Sequence, residues 1–155
     1  MRKLLPFLIS IIAVMVAACS HDDRDYSHWT SVPAEGWAYG DTLYLNPVDT
    51  TLPDNDTIVR RNLRLGITHT NSYPYSNLWL EVTYPSVGVH YRDTVNIRLA
   101  DQYGRWVGSG FGANYQREFV IAPDATVDLT EPIIVRHIMR VDTLRGLDHI
   151  GISLN

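Results

Sequence analysis

Val89-His90-Tyr91-Arg92-Asp93-Thr94-Val95-Asn96-Ile97-Arg98-Leu99-Ala100 is the cleanest alternation in the chain. Val89, Tyr91, Val95, Ile97 and Leu99 fall on one side of an extended backbone, and His90, Arg92, Thr94, Asn96 and Arg98 on the other. Side chains two apart line one face of a strand, so the stretch reads as a strand with one face buried and one wet. Antiparallel sheets have that character, because only one of their faces needs to pack on a core.

The same period runs through the neighbouring sequence. Thr57 to Thr70 sets Val59, Leu63, Leu65 and Ile67 against Arg60, Asn62 and Arg64, and Asn77 to Tyr84 sets Leu78, Leu80, Val82 and Tyr84 against Trp79, Glu81 and Thr83. Turns at Asn71 to Ser76 and Pro85 to Gly88 join the three. Upstream, Tyr26 to Ser31 and Asp41 to Asn46 are short strand candidates divided by Pro33, Gly36 and Gly40, and Val48 to Asp56 has the composition of a surface loop. Downstream, Asp101 to Gly104 is a turn. Gly108, Gly110 and Gly112, at alternate positions, mark a bulge, a bend or a close backbone approach. Tyr115 to Ile121 is predicted as a strand, Ala122 to Thr130 as a loop around Pro123, and Ile133 to Val141 and His149 to Leu154 as the last strands. No stretch after Cys19 holds a helical period. The expectation is an all-β chain: one antiparallel β-sandwich, immunoglobulin-like or jelly-roll-like, over residues 26–155.

Before that domain the sequence changes character. Arg2 and Lys3 precede an apolar run from Leu4 to Val16, too short for a relaxed membrane-spanning helix, which needs about 20 residues. The run ends in Val16-Ala17-Ala18-Cys19, the aliphatic-small-small-cysteine pattern of a bacterial lipoprotein signal. Residues 1–18 then read as a removable signal and Cys19 as the lipid-bearing residue, holding the protein to the outer membrane on its periplasmic or cell-surface face. Several acyl chains are needed for a lasting tether, because one alone binds marginally. The alternatives are a plain signal with a coincident cysteine, or an uncleaved anchor, and both leave an odd thiol. Residues 19–25, Cys-Ser-His-Asp-Asp-Arg-Asp, read as a flexible acidic tether. They resemble the export signal by which some bacteria with type IX secretion place lipoproteins on the cell surface.

The chain has 13 basic and 17 acidic residues, a formal net charge of −4, and loss of Arg2 and Lys3 with the signal makes it two units more negative. A nucleic-acid or anionic-membrane partner is disfavoured on that ground. Cys19 is the only cysteine, so burial and sheet pairing must hold the fold without an internal disulfide.

Chemistry-bearing patterns are few. Gly108-Ser109-Gly110 lacks the glycines two residues either side of the serine that a nucleophile elbow needs, and strand-like sequence, not a helix, follows it. The six histidines show no metal-site spacing and read as ordinary surface or sheet residues. Asp49, Asp54 and Asp56 lack the closing glutamate of a calcium loop. No catalytic residue, metal or cofactor is expected, and the chain is not read as an enzyme. Trp79 and Trp106 are candidate contacts for a glycan or a protein partner, weighed against core packing for the tryptophans, which is favoured. Asp-Thr pairs place Thr42, Thr50, Thr57, Thr94 and Thr143 in a pattern that resembles an O-glycosylation acceptor motif of Bacteroidetes-type envelope proteins.

Three blocks carry a wider resemblance. They are Leu63 to Trp79, with Tyr73-Pro74-Tyr75-Ser76-Asn77-Leu78-Trp79; Leu99 to Gly110, with Gly104-Arg105-Trp106-Val107-Gly108-Ser109-Gly110; and His137 to Leu154, with His137-Ile138-Met139-Arg140 and Leu144-Arg145-Gly146-Leu147-Asp148-His149-Ile150-Gly151-Ile152. In that order the mature chain resembles the gliding motility lipoprotein family of the GldH type. The resemblance implies a component of envelope machinery working with other envelope proteins. It carries over no catalytic residue, and it does not imply that the cell glides.

Overall fold

The computed structural model describes residues 26–47 and 57–155. The signal, Cys19, the acidic tether, the aspartate loop and Thr50 lie outside the described residues. Eleven strands follow in chain order: β1 Tyr26–Ser31, β2 Trp37–Ala38, β3 Leu43–Leu45, β4 Ile58–Thr70, β5 Asn77–Ser86, β6 Val89–Arg98, β7 Ser109–Phe111, β8 Asn114–Asp128, β9 Ile133–His137, β10 Thr143–Leu144 and β11 Leu147–Leu154. There is no helix among the described residues.

The strands form a five-stranded sheet in the order β1-β11-β4-β8-β7 and a four-stranded sheet in the order β3-β9-β5-β6, with β10 and β2 as a small separate pair. Every pairing is antiparallel. Leu63, Leu65, Ile67, Ile150, Ile152 and Leu154 of the first sheet share one apolar cluster with Leu45, Leu78, Leu80, Val82, Ile97, Ile133 and Val135 of the second. The alternation read from β4 and β5 thus names the inner faces of a β-sandwich.

Two readings need correction. Ala122 to Thr130 is not a loop, because β8 runs unbroken from Asn114 to Asp128. Pro123 survives there because β4 and β8 slip register around Asn62: Arg61 pairs with Ala125 and Leu63 with Ala122, leaving Pro123 and Asp124 bulged. Asp124 takes a left-handed φ of 53°, its N–H donates to Asn62 Oδ1 at 3.0 Å, and its carboxylate pairs with Arg60. Along β6 the buried face is only half as long as its pattern. Ile97 is buried and Val95 half-buried, while Val89 and Tyr91 stand exposed, since β6 is the outer strand of its sheet and cover reaches only its second half.

The alternating glycines do mark a close approach. A Cβ on Gly110 would lie 2.6 Å from the Asn114 carbonyl oxygen, and one on Gly108 2.6 Å from that of Gln116, so β7 presses against β8 as only glycine allows. Elsewhere Trp29 lies across the outer face of the larger sheet, over Gly151 and Gly66, which are cross-strand neighbours in register with it.

Candidate functional site

The outer face of the four-stranded sheet is built from the positions the alternation sends away from the core. Glu81 of β5 stands between Arg136 of β9 and Thr94 of β6 in register, and Trp79 pairs with Asn96 one row above. The Glu81 carboxylate accepts from Arg136 Nε at 2.8 Å and has Arg92 Nε at 3.8 Å. That contact and the nearby negative charge raise the Arg136 pKa above its ordinary value.

Trp79 is 40% exposed with no second layer over it, so core packing is not its role. Strand β9 ends at His137, and the chain then curls past Trp79: Ile138 N donates to the Trp79 carbonyl at 3.0 Å, and Trp79 N donates to Met139 Sδ at 3.4 Å. The curl leaves a groove of about 590 Å³ lined by Tyr75, Trp79, Thr94, Ile138, Met139, Arg140 and Val141. Its walls are an indole, a phenol, a thioether and aliphatic groups, with the exposed Arg140 among them. This arrangement can stack on a flat apolar face and pair with an anion.

Trp106 sits elsewhere. Its ring lies 4.7 Å from that of His69, edge on, and the His69 ring stacks on Tyr115 at 5.5 Å and meets Tyr73 at 5.8 Å. His69 is fully buried, with Nδ1–H donating to the Thr70 carbonyl at 3.0 Å. Tyr73 donates its hydroxyl to the Asn77 carbonyl at 2.9 Å, and burial pushes its phenol far above the usual tyrosine range. The second buried histidine, His137, has Nε2 3.0 Å from the Trp37 carbonyl and so donates there; burial lowers its pKa. Both histidines belong to the sheets, as expected, but neither is a surface residue.

The structure therefore does not join Trp79 and Trp106 in one site. Trp37 is wholly buried, Trp29 covers glycines, and Trp106 closes an internal aromatic cluster, leaving Trp79 as the platform. Thr57, Thr94 and Thr143 are exposed and Thr42 is half-buried. Ser109 Oγ donates to the Gln116 carbonyl at 3.4 Å, a hairpin contact. Among the described residues no three His, Cys, Asp or Glu side chains group to hold a metal ion. Tyr75, Met139 and Arg140 escaped the sequence reading as site residues. Their signal was present in the blocks quoted above, but alternation cannot single out residues beyond a strand's end.

These features define a two-sheet β-sandwich whose exposed chemistry is suited to binding. The chain belongs to the GldH lipoprotein family, whose profile it matches over residues 24–154. Membership makes it a membrane-associated, lipid-anchored protein of the gliding-motility kind, from a family not known for enzymes. Searches of curated proteins and of solved structures gave no match.

Proposed function

We propose that the protein is an outer-membrane lipoprotein, anchored through Cys19, that acts without catalysis as a structural or interaction component of envelope machinery. The observation that carries this reading is the family match over residues 24–154, which spans the sandwich and begins just after the cysteine. The Trp79 groove is the surface through which it meets another envelope protein. Partitioning into detergent should be lost in Cys19→Ala, and a photo-crosslinking residue at Tyr75 should capture envelope proteins in intact cells. A protein that stays monomeric and captures nothing would refute the reading. Protease treatment of intact cells decides the side of the membrane: digestion only after lysis places the domain in the periplasm.

One observation favours a second reading, a glycan-binding module: Trp79 stands open beside Arg140 and Thr94. Soluble envelope polysaccharide should then quench tryptophan fluorescence in the parent chain and not in Trp79→Ala. Thr42, Thr57, Thr94 and Thr143 are proposed O-glycan acceptors, as is Thr50 in the aspartate loop. At Thr94 the two readings compete, since a sugar on its hydroxyl would fill the groove it lines.

A further inference from the structure

The chain enters the sandwich at Tyr26, and register fixes which end that is. Tyr26 pairs with Leu154, Leu154 with Leu63, and Leu63 with Ala122. At that same end the tip of the β5–β6 hairpin comes down beside β8: Tyr84, Ser86, Val87 and Tyr91 share a depression of about 600 Å³ with Ala122 and Pro123. The tip is unusual in composition. Hairpin turns of two residues ordinarily carry Asn, Asp or Gly. Here Gly88 takes the left-handed position at φ 70°, but valines flank it. Val87 is 62% exposed, Val89 46% and Tyr91 51%, and the Tyr91 ring stacks on Tyr84 at 5.4 Å behind them.

We propose that this tip rests on the lipid surface and sets the orientation of the domain on the membrane. The proposal depends on Cys19 carrying the lipid. Residues 19–25 reach at most about 25 Å when fully extended. The opposite end of the sandwich, where Phe111 pairs with Asn114 and Asn114 with Thr70, lies seven residues further along the strands, about 24 Å away. Seating the domain on Phe111 would stretch the tether to its limit, although Phe111 is 95% exposed. Seating it on Val87 and Val89 leaves the tether slack. The anchor supplies a high local concentration, so a few apolar side chains at the membrane interface suffice to choose one face. With that seating the Trp79 groove, near the Asn77 end of β5, points away from the membrane, open to a partner.

The test uses the full-length lipoprotein, whose one native cysteine is consumed by the lipid. Val89→Cys and Phe111→Cys, both exposed positions, are labelled with an environment-sensitive fluorophore and reconstituted into zwitterionic phosphatidylethanolamine–phosphatidylcholine vesicles containing spin-labelled lipid. Quenching at residue 89 at least twofold greater than at residue 111 is expected. Equal quenching at both sites, or none at residue 89 in protein that floats with the vesicles, overturns the seating and leaves the anchor intact. Wild-type protein that takes up the thiol label has a free Cys19, which overturns the anchor and the seating with it. Residue-89 thiols that crosslink two copies on the vesicle assign the tip to a second copy and also overturn the proposal.

Discussion

A methyl group added to Gly151 would meet the ring of Trp29, its Cβ falling 2.2 Å from Cδ2 and 2.5 Å from Cε2 of the indole. Neither Gly151 nor Gly66 has a left-handed φ, so the backbone itself accepts alanine, and the cost of Gly151→Ala comes from the indole alone. The ring must lift off the sheet or force the strand to shift, and overpacking of that kind costs ~1–3 kcal/mol. With Trp29→Ala in place the obstacle is gone. Alanine then gains over glycine by reducing the freedom of the unfolded chain, ~0.4–1 kcal/mol. The same substitution should therefore destabilise the parent protein and be neutral or stabilising in Trp29→Ala, a reversal of sign that a double-mutant cycle measures directly. Urea unfolding of the Cys19→Ala chain, followed by far-ultraviolet circular dichroism, provides the four free energies. An equal cost for Gly151→Ala in both backgrounds would refute the argument that this glycine exists to seat the indole.

Gly146→Ala should behave differently, because its Cβ would fall 2.6 Å from Tyr73 Cα and 2.7 Å from Tyr73 N at a φ of +84°. Backbone cannot be trimmed away, so a loss of at least ~2 kcal/mol in urea is expected, and Tyr73→Ala should not restore it. His137 is held neutral by burial, its folded pKa below the ordinary 6.5. The unfolded chain therefore takes up the proton first, and stability present above about pH 6.5 is lost as the pH falls toward the folded value. His137→Gln should be less stable at pH 7.5 but flatten that acid slope, as urea midpoints at pH 5.5 and 7.5 would show. Trp79→Ala removes an exposed ring and should leave the unfolding midpoint near that of the parent while abolishing crosslinks from Tyr75. A large shift in midpoint would assign Trp79 to the fold instead.

Alternation made the inner faces legible because the strand period is a direct consequence of burial on one side: Leu63, Leu65, Ile67, Leu78, Leu80 and Val82 are all buried where the pattern puts them. It misled where burial and pattern part. Val89 and Tyr91 keep the apolar alternation without cover, which a one-dimensional pattern cannot distinguish from a core strand. Pro123 pointed to a loop because proline breaks a ladder, and only the partner strand reveals the bulge at Asn62 that makes the missing N–H harmless. Trp29 over two glycines was equally hidden, since Gly66 and Gly151 lie far apart in sequence and become neighbours only through the pairing of β4 with β11. For the groove, the place of Trp79 opposite Leu78 and Leu80 put it off the inner face but left a second covering layer as the favoured alternative, and only the structure shows it open. Met139 and Arg140 come into the groove through a curl after β9 that no period announces.

The three sequence blocks that carry the family resemblance meet in space, and the way they meet separates what the fold needs from what it does not. Thr70 N donates to the Gly146 carbonyl at 2.9 Å, Leu99 N and Ala100 N both donate to the Ser76 carbonyl at 2.8 and 2.9 Å, and Ile138 N donates to that of Trp79 at 3.0 Å. Gly146, Tyr73, Ser76, Gly108 and Gly110 are accounted for by these corners and close approaches. Buried His69 and half-buried Trp106 are accounted for by the aromatic cluster. What remains is the Trp79 ring and Arg140, which no strand pairing or core contact requires; Tyr75 beside them is half-buried, its ring edge-on to that of Tyr73 at 5.7 Å. Exposed aromatic surface that folding does not need has to be stabilised by something else, and a partner that covers it is the physical reason to retain it. In the seating proposed above, that remainder lies on the side of the domain turned away from the lipid, where a second envelope component has room to dock.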